Sequence, residues 1–224
     1  MATRFEGQRV LVTDAAEFMG PGVCAMFAEE GASVIAEKRD LTRAGAVEVA
    51  VEEAGHIDIL IANLAVPYII AAAHEAEEEN LSEALNRLVL PLQRLVRRVL
   101  PQMMERRRGK IVVVGSASAL RGIPMRSCYA AARGAQLAFV KTVALEAIQY
   151  NVHVNATAHA YIENPTYYPL EYQQTEDFKQ RMQLLPIGRL ATPREGASVV
   201  LYLASPEADF MVGQVIPCAG GFVQ

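Results

Sequence analysis

Tyr129 and Arg133 stand four residues apart in the stretch Ser127 to Tyr150, whose apolar periodicity predicts one long helix. Side chains at that spacing share a helix face and can meet. Ionising an isolated phenol at neutral pH costs about 4 kcal/mol, so it is a poor base there. A guanidinium ~4 Å away offsets roughly that much at an effective dielectric of about 20, and it stays charged throughout. Ser116 follows the clearest predicted core strand, Lys110 to Gly115. The carboxyl end of a parallel strand opens into the ligand crevice, which would bring this hydroxyl near that of Tyr129. Together the three residues could take a proton from a substrate alcohol and later return it. Tyr129 alone would read as a core or interface residue; its register with Ser116 and Arg133 favours the reactive reading.

Positioning these groups requires a strand-helix framework, and apolar runs separated by helical patterns recur along the whole chain. Arg9 to Thr13 is the first predicted strand, followed by a helix led by Pro21 and ending near Gly31. Ser33 to Ala36 is the second. A helix over Thr42 to Ala54 leads to Ile57–Asn63, whose near-continuous apolar character suits a strand buried on both faces. Asn80 to Arg107 is helical, with Pro91 and Pro101 expected to divide or kink it. Val152 to Thr157 is a strand, and a tyrosine-rich loop follows it. Phe178 to Leu185 and Pro193 to Ala204 are helices, and Gln214 to Cys218 is the last strand. The expected architecture is a three-layer, doubly wound α/β fold with a mostly parallel sheet of six or seven strands, in one Rossmann-like domain over residues 1–224.

Composition narrows the class of function. The chain has 224 residues, 52% hydrophobic and 21% charged, enough for one well-filled core. A net charge of −4 disfavours broad attraction to nucleic acid or anionic lipid; Arg97, Arg98, Arg106, Arg107 and Arg108 read as solvated helix faces. Cys24, Cys128 and Cys218 are scattered and odd in number, unlike a zinc site or disulfide framework, which fits a reducing cytoplasm. No apolar run suggests a signal segment or membrane span. His56, His74, His153 and His159 lack ligand spacing, so no metal is expected.

Asp58 to Asn63, Gly115-Ser116, Tyr129 with residue 133, Asn155 and the closing Gly220-Gly221 resemble the short-chain dehydrogenase/reductase superfamily across essentially the whole chain. Three departures stand out. Members usually carry a glycine-rich turn after the first strand, where the backbone approaches a pyrophosphate. Here the turn is Thr13-Asp14-Ala15-Ala16-Glu17-Phe18-Met19-Gly20, with an acid and a bulky ring in that place. Only 26 residues separate Ala36 from Asn63, so one strand-helix unit beside the adenosine site is shortened. Finally, Arg133 replaces the lysine of the reductases. Thr13, Phe18 and Gly20, taken with Ser116, Tyr129 and Arg133, resemble the signature pair of the halohydrin dehalogenases, which need no nicotinamide.

That resemblance implies that Tyr129 takes the proton of a vicinal haloalcohol, Ser116 holds its oxygen and Arg133 keeps the tyrosine reactive. The alkoxide then closes to an epoxide as halide leaves. In reverse, azide, cyanide, nitrite or halide would open an epoxide. No cofactor is implied. The halide and substrate pocket is expected around Thr13, Phe18, Gly20, His159, Ala160, Tyr161, Ile162 and Tyr168, with a helix N-terminus, backbone N–H groups and ring edges suited to a weakly hydrated anion. His159 and Ala160 replace a Pro-Asn pair seen in some relatives. The resemblance also implies a homo-oligomer, commonly a tetramer, paired through the helices of Asn80 to Arg107 and Ser127 to Tyr150. Two alternatives stay open: an NADP-dependent reductase with a degenerate fingerprint, and a non-catalytic binding or regulatory member. Phe18 taken alone would be packing.

Overall fold

The computed structural model describes residues 3–67 and 69–223. Its sheet contains strands β1 (Arg9–Val12), β2 (Ser33–Ala36), β3 (Ile59–Asn63), β4 (Gly109–Ser116), β5 (Val152–His159) and β6 (Val215–Cys218). They lie in the order β2-β1-β3-β4-β5-β6, every neighbouring pair parallel. The order reverses between β1 and β3, and in open α/β sheets the ligand crevice lies beyond the carboxyl ends at such a point. Thr13 and Asn63 stand at those two ends.

Helices α1 (Gly20–Glu29), α2 (Ala46–Ala54), α3 (Glu78–Leu88), α4 (Leu90–Arg106), α5 (Ser127–Ala147), α6 (Leu170–Gln173), α7 (Glu176–Leu184) and α8 (Pro193–Ala204) cover the sheet. All five residues of β3 are buried, because layers lie on both faces. Alternation sorts them: Leu60, Ala62, Ile111 and Val113 face the layer of α2 to α5, and Ile59, Ile61, Val112 and Val114 face α1 and α8. Local chemistry sets the helix starts. Pro21 opens α1, and Thr192 with Glu195 forms a reciprocal cap before α8.

Several expected boundaries move. The second helix begins at Ala46, four residues late, because the Asp40 carboxylate accepts the Thr42 N–H and O–H and ties that segment into a turn. Pro91 does separate two helices, at the Val89 junction, but Pro101 sits on the exposed side of an unbroken α4. The tyrosine-rich loop contains the single turn α6. Among the described residues no helix is long and apolar enough to cross a membrane.

Leu60 is wholly buried in β3. Leu60→Ala should lower stability by about 3 kcal/mol in denaturant unfolding, while Leu184→Ala, at a side chain 85% exposed on α7, should change it by less than about 0.5 kcal/mol. Equal effects would contradict this placement of the core.

Candidate active site

Arg133 is only 1% exposed, and α5 carries its side chain to the carboxyl ends of β3 and β4. Its Nε donates to Tyr129 Oη at 3.1 Å. Nη1 donates to the Val114 carbonyl at 3.1 Å and to Gln136 Oε1 at 3.0 Å, and Nη2 to the Leu64 carbonyl at 3.1 Å. A planar fork with five donors suits four acceptors in separate directions better than an ammonium would. Every acceptor here is a neutral group, and among the described residues no carboxylate forms an ion pair with this guanidinium. Its charge is therefore buried against dipoles and left uncompensated beside Tyr129.

Ser116 occupies the carboxyl end of β4, two residues past Val114. Its Oγ lies 2.9 Å from Ser118 Oγ and accepts the Ser118 N–H at 3.3 Å. The two hydroxyls expected to converge, those of Ser116 and Tyr129, share this end of the sheet without bonding each other. Nothing in the residue pattern singles out Ser118. Gln136 was detectable, since it lies one helical turn from Arg133 on the same predicted face.

The turn after β1 closes on itself. Thr13 Oγ1 donates to the Asn63 carbonyl at 2.8 Å, so this hydroxyl braces the switch point and is not presented to a ligand. Asn63 Nδ2 donates to the carbonyls of Asp14 and Glu17, both at 3.0 Å, and the Ala65 N–H donates to the Asp14 carboxylate at 2.7 Å. Burial raises the Asp14 carboxyl above the usual carboxylate range, against the lowering by Ala65. A Cβ on Gly20 would meet Asp14 O at 2.5 Å; the glycine serves the turn's own closure. Phe18 has a left-handed φ of 45°, and its ring meets His159 and Tyr167 edge-on at 6.4 and 5.7 Å.

His159 faces this ring from β5. Its Nε2 lies 3.1 Å from the Gly196 carbonyl, which can only accept, and its Nδ1 lies 3.0 Å from Thr157 Oγ1. Burial foremost pushes its pKa down to about 4, the Gly196 carbonyl opposing and the Arg133 charge adding. The ring is thus neutral, with both nitrogens engaged by the frame. The Ala160 N–H is likewise taken, by the Cys218 carbonyl at 3.2 Å. Tyr161 adopts a left-handed φ of 56°, and its ring packs on Tyr168 at 6.2 Å and Phe222 at 5.4 Å. Ile162 is buried and bridges Ala191. Among the described residues the backbone N–H groups of Tyr161 and Ile162 donate to nothing. Of the expected pocket, the backbone N–H groups without a partner among the described residues are those of Phe18, Tyr161 and Ile162, and Phe18 and Tyr168 bring rings.

The fold type suggests a dinucleotide, but the residues present do not fit one. Phe18 and Glu17 stand where glycines would admit a pyrophosphate, and the turn is fastened through Asn63. The acid ending the second strand, which in dinucleotide folds holds ribose hydroxyls, is Glu37; it accepts the Arg39 N–H at 2.7 Å and pairs with that guanidinium at 3.4 Å. The sheet also ends at β2, with no strand beyond it among the described residues. No cluster of three or more histidines, cysteines or acids able to hold a metal occurs among those residues.

Comparison with known proteins adds two kinds of likeness. The family model described as Enoyl-(Acyl carrier protein) reductase matches residues 1–223. A 3-oxoacyl-(acyl-carrier-protein) reductase of Thermotoga maritima is 31% identical over 98% of this chain and 99% of its own length. A 1,6-dihydroxycyclohexa-2,4-diene-1-carboxylate dehydrogenase of Acinetobacter baylyi is 32% identical, over 97% of each. Among solved structures, one called "Dehalogenation enzyme" superposes with a TM-score of 0.90 at 31% identity, covering 97% of this chain and 99% of that one.

Because folding lowers the His159 pKa from 6.5 to about 4, the unfolded chain binds the extra proton between those values. The stability this residue contributes is therefore present above pH 6.5 and lost as pH falls towards 4, by about 3 kcal/mol over the window. Denaturant unfolding across it should show a shallower loss for His159→Gln than for the parent; identical slopes would contradict a buried neutral ring.

Proposed function

The chain belongs to the short-chain dehydrogenase/reductase superfamily, and we propose that it is a cofactor-independent halohydrin dehalogenase, a carbon–halide lyase that converts vicinal haloalcohols to epoxides and opens epoxides with small anions such as azide, cyanide, nitrite or halide. One observation carries this reading: a buried, uncompensated guanidinium bonds the oxygen of Tyr129 while an aromatic ring fills the turn a dinucleotide would need. The structural neighbour called a dehalogenation enzyme supports it.

The Arg133 charge stabilises negative charge on Tyr129 Oη, which takes the proton of the substrate hydroxyl. Ser116 donates to the substrate oxygen, its own oxygen being held by Ser118. That oxygen forms the new C–O bond as the neighbouring C–X bond breaks, and the bond's electron pair leaves with the halide. No hydride moves and nothing is oxidised. The anion is received near Phe18 and Tyr168, with the Tyr161 and Ile162 amides as donors. Ring opening runs the same steps backwards, with Tyr129 returning the proton. Exposed Leu81, Leu90 and Leu145 on α3, α4 and α5 support assembly into a homotetramer through those helices.

The named relatives favour a second reading, an NADP-dependent reductase. Calorimetry separates the two: NAD and NADP should not bind at micromolar concentration, and binding in that range would favour the reductase.

Tyr129→Phe keeps the ring and removes the oxygen, so halide release from a simple bromohydrin should fall by about 10² or more. A variant retaining more than about a hundredth of the parent rate would contradict the general-base role. Bromide should inhibit as a product, and Phe18→Ala should weaken that inhibition; unchanged inhibition would remove Phe18 from the anion site.

A further inference from the structure

Gln136 is wholly buried on α5 and has no place in the chemistry above. Its Oε1 accepts from Arg133 Nη1 at 3.0 Å, and its Nε2 donates to the Leu88 carbonyl, at the end of α3, at 2.7 Å. Apart from Tyr129 it is the one side chain hydrogen-bonded to the guanidinium among the described residues; the other acceptors are main-chain carbonyls. A buried cation is ordinarily paired with a carboxylate, and Glu at this position would reach the same atom. The amide reaches it with no charge, and its two-sided bonding fixes which end is the acceptor: an oxygen must face Arg133 and an NH2 must face Leu88.

We propose that Gln136 is the positioning residue of this site, a neutral side chain that locks Arg133 between α3 and the strand ends while leaving its positive charge to act on Tyr129. The surroundings agree with that division. β4 contributes the Val114 carbonyl and the end of β3 the Leu64 carbonyl. From β5 comes His159, a neutral ring, and beside Leu64 lies Asp14, whose carboxylate is held by the Ala65 N–H. On α3 the charged neighbours Arg87 and Glu83 are paired with each other. Two effects must then be separable at position 136. Placing a negative charge there draws the guanidinium's field away from the phenol, whereas removing the hydrogen bond without adding charge loosens Arg133 and leaves the field in place.

Two variants test this, with ultraviolet difference titration of each protein against its Tyr129→Phe counterpart isolating the phenolate signal of Tyr129. Gln136→Glu should displace that signal to higher pH by about one to three units, as expected for a charge this close, and carry the pH limb of turnover with it. Gln136→Met, similar in volume and uncharged, should leave the titration at the parent position but lower kcat by about tenfold to a hundredfold with little change in KM. A folded Gln136→Glu protein that titrates like the parent would overturn the proposal, as would parental turnover in Gln136→Met. The kinetic arm rests on the dehalogenase reading; the titration needs no substrate. A displaced titration in a chain that releases no halide would defeat that reading alone, and halide release with an unmoved titration would defeat this inference alone.

Discussion

A guanidinium buried without a counter-ion is the constraint around which this end of the molecule is built. Its cost is offset only if every acceptor is in place at once, and those acceptors come from three places, α5 itself, the carboxyl end of β4 and the residue just past β3, with Gln136 in turn fastened to the end of α3. Ala132, Ala144 and Ala147 of α5 are wholly buried small side chains, and the wholly buried Leu92, Leu95 and Val99 of α4 lie in the same layer. Removing the guanidinium would orphan two carbonyls in a dry interior, and shifting α5 along its axis would separate it from both of those carbonyls.

The same economy governs the turn after β1. A dinucleotide fold leaves backbone N–H groups free there so that a pyrophosphate can complete them. This chain completes much of the turn internally: the Gly20 N–H is taken by the Glu17 carbonyl, Asn63 fastens two carbonyls of the turn, and Phe18 fills the space above it. Asn63 Oδ1 is left buried and unpartnered among the described residues, an acceptor where an anionic ligand would require a donor. At the far side, Arg39 closes over Glu37. The Asn63 contacts, the Phe18 ring and the Arg39–Glu37 pair thus occupy several of the groups and much of the space a nucleotide would use, while the N–H groups of Phe18 and Met19 have no partner among the described residues.

The framework was legible in the sequence because burial on both faces writes long apolar runs such as Ile57–Ala62, and because Pro21, Pro193 and Gly31 mark helix ends by backbone chemistry alone. The pairing of Tyr129 with Arg133 was legible for a similar reason, since helical spacing is local. What was not legible depended on contacts distant in sequence. Thr13 and His159 have residue types suited to an anion pocket, yet Asn63 and Gly196, 50 and 37 positions away, claim their polar atoms. Pro101 failed to break its helix because its ring sits on the solvent side of a helix held by packing on the other. Ser118 meets Ser116 because a 3-10 turn at Ala117–Ala119 folds the chain back onto it, a contact that the residue pattern does not mark.

These layers explain why reductases and a dehalogenation enzyme resemble the chain to nearly the same degree. Identity near 31% to both goes with one shared fold, and a fold is indifferent to the reaction performed above its sheet. The choice between reaction classes falls to a few atoms. A lysine at position 133 would bring three donors on a flexible stem and could not span Val114, Leu64 and Gln136 while still reaching Tyr129; a glycine at 18 would reopen the turn. Both features can be read from the structure: Arg133 is sunk into the protein against Tyr129, and Phe18 fills the turn after β1. A buried fixed charge and a filled nucleotide turn are independent observations, and their joint presence carries more weight than the overall identity to either set of relatives.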